Sequence, residues 1–227
     1  AGEVEECWQL LRQNIMSISY ESLAHVPSYS RWLAQQDWSP AYRRHKQNLQ
    51  LIGSNDREKR WVLKNPSHLF ALDALLEVYP DALVIQTHRA PETIIGSMCS
   101  LAEAATPGWS TTFVGDTIGD TQLELWSRGL REFSSARARY DQSQFVDVDF
   151  ADLRNDPMGT GGSPRGMASQ QGLLRLLGPA PGELVDSGTR TCAMWMPLGR
   201  SPPLNSMMVG LRCIIANRVT TITDHAT

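Results

Sequence analysis

The sequence predicts an α/β fold, a parallel sheet flanked by helices, and three observations carry that reading. Two short apolar runs, Trp61 to Leu63 and Leu83 to Ile85, alternate with two segments whose apolar residues recur at helical spacing. Each helical segment opens on a proline, Pro66 or Pro91, at the first helical position, where the missing N–H costs nothing. A third run, Phe145 to Phe150, follows a long amphipathic stretch. A strand–helix–strand unit of this length joins strands that run the same way.

Taken in order, Glu3 to Asn14 reads as a helix with Val4, Trp8, Leu11 and Ile15 on one face and carboxylates in its first turn. Ser28 to Gln36 is expected to turn Trp32 and Leu33 inward, and Pro40 to Ile52 to bury Tyr42, Leu49 and Ile52. The basic cluster Arg43, Arg44 and Lys46 on that helix reads first as a solvated face, with an acceptor or nucleotide contact as its functional alternative. Ser54 to Lys59 is a charged turn. Asn65 caps the next helix, whose apolar face is Leu69, Leu72, Leu75 and Leu76, and Tyr79-Pro80-Asp81 stops it. Ile94, Ile95, Met98, Leu101, Ala102 and Ala105 then give a buried stripe. Pro107, Gly108, Gly115 and Gly119 interrupt any period between Ala104 and Asp120, which predicts a loop, with Trp109 and Phe113 as acceptor-pocket candidates beside the plainer reading of ordinary packing. Thr121 with Glu124 has the form of a capping box, and Trp126, Leu130, Phe133 and Tyr140 make the core stripe behind it. Asp147, Asp149 and Asp152 have no histidine beside them, so no metal is expected.

The 227 residues, 41% of them apolar, suffice for one α/β domain. A net charge of −3 offers nucleic acid or an anionic membrane no general attraction, so any anion site must be local. Cys7, Cys99, Cys192 and Cys213 show neither a C-x-x-C pair nor ligand spacing, which argues against zinc or a disulfide framework and makes a reducing cytoplasm the default. No apolar run approaches the roughly 20 residues that span a bilayer, and no signal peptide opens the chain. Residues 161–227 contain no lysine and three acids but hold 9 of the 17 glycines and 6 of the 13 prolines. The expected organisation is therefore an α/β domain over 1–160 and a Gly/Pro-rich tail over 161–227, poorly ordered apart from the short apolar runs Gly172 to Leu177 and Met207 to Ala216.

Parallel strands would bring Lys64 and Arg89 to the carboxyl edge of the sheet, where open α/β folds bind ligands. Two cations beside two helix N-termini favour an anion. Ser97, eight positions after Arg89, lies about two turns into the second helix and could share it.

These residues resemble the sulfotransferase family, particularly its bacterial sulfotransferase-like group. In that family an arginine ending a strand, followed eight positions later by a helix serine, binds the 3′-phosphate of 3′-phosphoadenylyl sulfate (PAPS), and Arg89 and Ser97 match the pair. Lys64, in Leu63-Lys64-Asn65-Pro66, matches the lysine that assists sulfuryl transfer, and His68 before Leu69 matches more loosely the histidine that serves as base. His88 is expected to be structural. The resemblance runs from about Ser28 to Thr160 and includes the Val78 to Ala82 turn; Phe150 stands where tyrosine is frequent, so no nucleotide contact is carried there. It implies a P-loop-NTPase-like fold, PAPS as sulfuryl donor without a metal, and a small-molecule acceptor presenting a hydroxyl. The family's Gly- or Ser/Thr-rich phosphate loop does not precede Arg60, and no G-x-x-x-x-G-K-[ST] match occurs. A chain truncated at its amino end is the expectation that follows. The alternative is a non-catalytic sulfotransferase-like nucleotide-binding or interaction module, with a P-loop kinase as a weaker third reading.

Overall fold

A computed structural model of the chain describes residues 6–55, 60–108, 110–155, 189–192 and 213–217. The expectations placed on Glu3, Val4, Trp109 and most of 161–227 lie outside the described residues.

The segments with period-2 and β-branched character form the sheet. Its strands are β1 (Arg60–Lys64), β2 (Leu83–His88), β3 (Phe145–Asp149), β4 (Thr189–Cys192) and β5 (Cys213–Asn217). They lie in the order β3-β2-β5-β1-β4. β2 and β3 pair in parallel, as do β1 and β4. β5 runs antiparallel to both β1 and β2 and separates them. β1 and β2 therefore point the same way without touching, which preserves the α/β plan and puts both carboxyl ends on one edge. The Gly/Pro-rich stretch supplies β4 and β5, so the sheet draws two strands from a region whose composition predicts little order.

Helices α1 (Trp8–Arg12), α2 (Ser19–Ser22), α3 (Pro27–Leu33) and α4 (Ser39–Ile52) precede the sheet. The segment after β1 begins as a 3₁₀ turn, Pro66–Phe70, capped by the Asn65 side chain accepting from the Ser67 N–H at 2.7 Å, and continues as α5 (Leu72–Val78). Its apolar face is as the spacing predicts: Leu69, Leu72, Leu75 and Leu76 are all buried, and truncating such a residue costs about 2–5 kcal/mol. α6 (Pro91–Ala105), α7 (Asp116–Arg137) and α8 (Phe150–Asn155) complete the described helices. α7 crosses the turn after β1 where Gly129 meets the Phe70 ring; a Cβ at Gly129 would lie 2.6 Å from Phe70 Cζ, so glycine is what permits the approach.

Three expectations need correction. Trp32 is 42% exposed and Ile52 53% exposed, because the apolar residues of their helices that reach the core are Leu33 on α3 and Ala41, Tyr42 and Leu49 on α4. Thr121 does not open a helix: α7 starts at Asp116 behind Gly115, whose φ of 51° suits glycine, and the Thr121 hydroxyl donates inside the helix to the Thr117 carbonyl at 2.7 Å. The interrupted stretch is consequently shorter than its glycines suggest. Phe113 in it is fully buried against Ala102 and Ile118, which is ordinary packing. No helix among the described residues is long and apolar enough to cross a membrane.

Candidate functional site

Lys64 ends β1, and its ammonium is buried, only 3% exposed. A lysine there requires a counter-charge, since an unpaired ion in the interior costs several kcal/mol. Glu6, 6% exposed, provides it through Oε1. The segment before α1 is held in place for this pairing by the Cys7 N–H, which donates to the Lys64 carbonyl at 3.3 Å. The second Glu6 oxygen, Oε2, has no hydrogen-bond partner among the described residues, and neither has Nδ2 of Asn65, the next residue after Lys64. Both side chains line one cavity of about 250 Å³, enclosed by the segment from Glu6 to Leu23, the Asn65–Ser67 turn, α6 and α7.

His68 sits in the same turn but faces away from that cavity's wall into a buried aromatic network. Its Nδ1 is 2.6 Å from the Tyr42 hydroxyl, and a parallel pair, His45 Nδ1 and the Tyr79 hydroxyl, lies alongside at 2.7 Å. Neither imidazole is exposed to solvent. Burial holds the His68 pKa well below the usual histidine range, with His45 adding to the effect, and lowers His45 to about 4. Both rings are therefore neutral at pH 7. His68 Nε2 has no partner among the described residues.

Arg89 follows β2, half-buried, with its guanidinium 5.1 Å above the Phe150 ring at the start of α8. It forms no ion pair among the described residues. Ser97 lies on the second turn of α6, half-buried. Strand register separates the two cations: Lys64 and Ile85 both pair with Ile214, so Arg89 stands four residues beyond the level of Lys64. At the usual strand spacing and rise, their Cα atoms are roughly 16 Å apart. The edge thus offers two cationic points, suited to a ligand whose anionic groups are well separated.

His88, next to Arg89, is taken up structurally, as expected. Its Nε2 is 2.6 Å from Asp147 Oδ1, and Arg137 clamps the same carboxylate through two bonds of 2.7 Å while also donating to Gln86 Oε1 at 2.6 Å. The Arg137 clamp, helped by His88, holds the Asp147 carboxyl down at about 2. The basic cluster on α4 is likewise spoken for in part: Arg43 pairs with Glu77 at 3.1 Å and Lys46 donates to the Val78 carbonyl at 3.1 Å, both tying α4 to the end of α5.

Reading the residues alone finds Lys64, His68, Arg89 and Ser97 but misses Glu6, Tyr42 and the free amide of Asn65. Glu6 looks like any acid ahead of a helix, and Asn65 like a cap. The only available signal is that Lys64, once placed at the end of an interior strand, demands a carboxylate from elsewhere.

Comparison with known proteins identifies the family and the fold. The model of the sulfotransferase family matches residues 1–162. The omega-hydroxy-beta-dihydromenaquinone-9 sulfotransferases Stf3 of Mycobacterium bovis and Mycobacterium tuberculosis are each 33% identical to the chain over 108 residues, which is 45% of this chain and 27% of theirs. The crystal structure of sulfotransferase STF1 from Mycobacterium tuberculosis superposes with a TM-score of 0.67 at 60% identity, covering 74% of this chain and 48% of that one. Sulfotransferase STF9 from Mycobacterium avium gives 0.60 at 25% identity, over 75% and 46%. The chain thus spans about a quarter of the curated relatives it matches and about half of the solved ones. With the family model covering well over half of its length, the chain belongs to the sulfotransferase family.

Proposed function

We propose that the chain carries the donor-recognition and transfer groups of a PAPS-dependent sulfotransferase that moves a sulfuryl group to a hydroxyl. The observation that carries this reading is the shared edge: Lys64 ends β1 and Arg89 follows β2, two strands that run the same way, with Arg89 two residues ahead of α6. Arg89 and Ser97 hold the 3′-phosphate, guanidinium and hydroxyl both donating. Arg89 fits that role because its half-buried guanidinium has an aromatic face beneath it but no described carboxylate. Lys64 neutralises charge on the departing phosphate. As the acceptor oxygen bonds to sulfur and the sulfur–oxygen bond to phosphate breaks, adenosine 3′,5′-bisphosphate leaves; catalysis is positioning plus charge neutralisation. The acceptor proton needs a base. Glu6 is among the residues lining the cavity beside Asn65 and keeps one oxygen without a described partner, which favours it over His68, which the resemblance implies but which does not line the cavity. His68 then serves to hold the Lys64–Ser67 turn through Tyr42.

A hydroxyl acceptor is supported by the printed name of the Stf3 relatives, which specifies an omega-hydroxy compound. A small-molecule acceptor, a nucleotide donor and a cytoplasmic setting complete the proposal. The second reading, a nucleotide-binding or interaction module without turnover, is favoured by one observation: the Lys64 ammonium is already engaged by the buried Glu6 carboxylate. Calorimetric titration with adenosine 3′,5′-bisphosphate tests both. Saturable binding reduced at least about tenfold in Arg89→Ala, the loss expected of a charge-assisted bidentate contact, supports the 3′-phosphate site. Transfer of ³⁵S from labelled PAPS to an alcohol then separates enzyme from module, and a folded chain that binds no bisphosphate refutes the donor site and leaves only the interaction module.

A further inference from the structure

We infer that the face formed by the end of α1 together with α2 and α3 docks on an anionic phospholipid surface, with Ile15 and Trp32 entering the headgroup layer and Arg12 and Arg31 meeting its phosphates. The face is continuous. The Arg12 guanidinium lies 4.9 Å over the Trp8 ring and 5.1 Å over the Tyr20 ring; Tyr20 meets Tyr29 edge-on at 5.5 Å, and Tyr29 meets Trp32 at 5.6 Å. The polar ends of the two tyrosines are already bonded within the protein. The Tyr20 hydroxyl donates to the Arg12 carbonyl at 3.4 Å, and that of Tyr29 lies 2.7 Å from the Ile15 carbonyl and 3.0 Å from the Ser17 carbonyl.

Ile15 sits in this face under two penalties. The Met16 N–H donates to the Leu11 carbonyl at 3.3 Å, a 6→1 closure that ends α1 and leaves Ile15 in the left-handed region at φ 58°. Glycine or asparagine normally fills that position, and a β-branched residue is strained in it. Ile15 is the one non-glycine residue with positive φ among those described. Its side chain is also 59% exposed, so packing within the described residues does not offset the strain. Both penalties make sense if the side chain has an apolar surface to enter.

Charge selects the occupant. The chain as a whole carries −3, yet residues 6–55 hold five Lys and Arg against three acids. Those acids are engaged: Glu6 and Glu21 are buried against Lys64 and Arg128, and Asp37 accepts from the Ser39 N–H at 2.8 Å. Arg12 and Arg31 form no ion pair among the described residues. An aliphatic tip, aromatic rings whose hydroxyls are spent and unpaired arginines are the groups that settle at the headgroup level of an anionic bilayer. A fluid surface also meets such a face without the shape match that a folded partner needs. This contact is independent of the donor assignment.

The test is co-sedimentation of the full chain with vesicles of phosphatidylcholine alone and of phosphatidylcholine containing about 30% phosphatidylglycerol. Saturable binding to the mixed vesicles is expected, about tenfold or more tighter than to the neutral ones and weakened when salt is raised from about 0.1 to about 0.5 M. Arg12→Gln with Arg31→Gln should weaken it by about tenfold or more. Ile15→Gly should weaken it by about fivefold, while its melting temperature stays equal to wild type or rises, since glycine accepts that φ. This variant separates a lost contact from a lost fold. Arg154→Gln, a charge-matched change on α8 beside the outer strand β3, should leave binding within about twofold. No vesicle binding by folded wild type, equal binding to both vesicle types, unimpaired binding in Ile15→Gly, or an Arg154→Gln loss as large as that of the arginine pair overturns the inference. Self-association in sedimentation velocity that Ile15→Gly abolishes, without vesicle binding, also overturns it and assigns the face to a second copy of the chain.

Discussion

Two clusters in this molecule use the same residue types and finish them differently. At the edge of β2 and β3, Gln86, His88, Asp147 and Arg137 meet in short bonds, with His88 and Asp147 about half exposed. At the end of β1, Glu6, Lys64, Asn65 and His68 are almost wholly buried, yet three of them keep a polar atom without a described partner. The exposed cluster joins its charged groups to one another, Asp147 being met by both Arg137 and His88. The buried one pays a desolvation cost without completing its bonds, and unmet buried groups of that kind are what a ligand can satisfy.

The largest effect separating the two should come from Lys64→Met. It strands Glu6 as an uncompensated buried charge, with an expected loss of about 3–5 kcal/mol in urea unfolding. Adding Glu6→Gln should restore most of the stability and none of the transfer. A double variant as unstable as the single would mean that the pair is not the buried unit described.

Next comes acid. His45 and His68 are depressed in the folded chain, so protons favour unfolding: their contribution is complete above the ordinary histidine pKa and is lost as pH falls from about 6.5 toward 4. Asp147 is depressed as a carboxyl, so its contribution holds above its ordinary value and is lost only as pH falls toward about 2. Of these groups only the histidine pair should lower stability between pH 6.5 and 4, partly opposed by Glu21 and Glu132, whose carboxyls burial raises. For His45 the loss amounts to about 3 kcal/mol. His45→Gln should flatten that slope, whereas Asp147→Asn should leave it unchanged.

Gly129→Ala should cost about 1–3 kcal/mol by forcing the Phe70 ring off the turn that carries His68. Phe70→Leu in the same chain should recover it, and no recovery would mean that α7 does not clamp the turn through this contact. The smallest effect belongs to Asp147→Asn, expected within about 1 kcal/mol at neutral pH because the cluster is half in water. A larger loss would move this cluster into the buried class and break the contrast.

Much of the scaffold was legible because its signals are local. Prolines at first helical positions, leucines at helical spacing and alternating apolar runs marked β1, α5, β2, α6 and β3 within a few residues. The cations at strand ends followed from that pattern. The rest depends on contacts between distant stretches. Glu6 meets Lys64 across most of the first four helices, Tyr42 meets His68 from α4, and the cavity beside Asn65 takes part of its wall from α6 and α7. No spacing rule carries such information. Thr121 misled because a threonine three before a glutamate looks the same inside a helix as at its start; the hydroxyl's choice of the Thr117 carbonyl decides it.

The position of β5 also bears on how the chain assembles. Ile215 pairs with both Leu63 and Val84, so the first two strands of the sheet can be joined only after synthesis has passed Asn217, more than 120 residues beyond β2. Until then β1 and the inner side of β2 present unpaired N–H and C=O groups, and β2 can close only toward β3. Such long-range closure is slow and leaves strand edges open to other copies during synthesis. Soluble yield should therefore depend on temperature and chaperone supply more steeply than the stability of the finished fold would suggest.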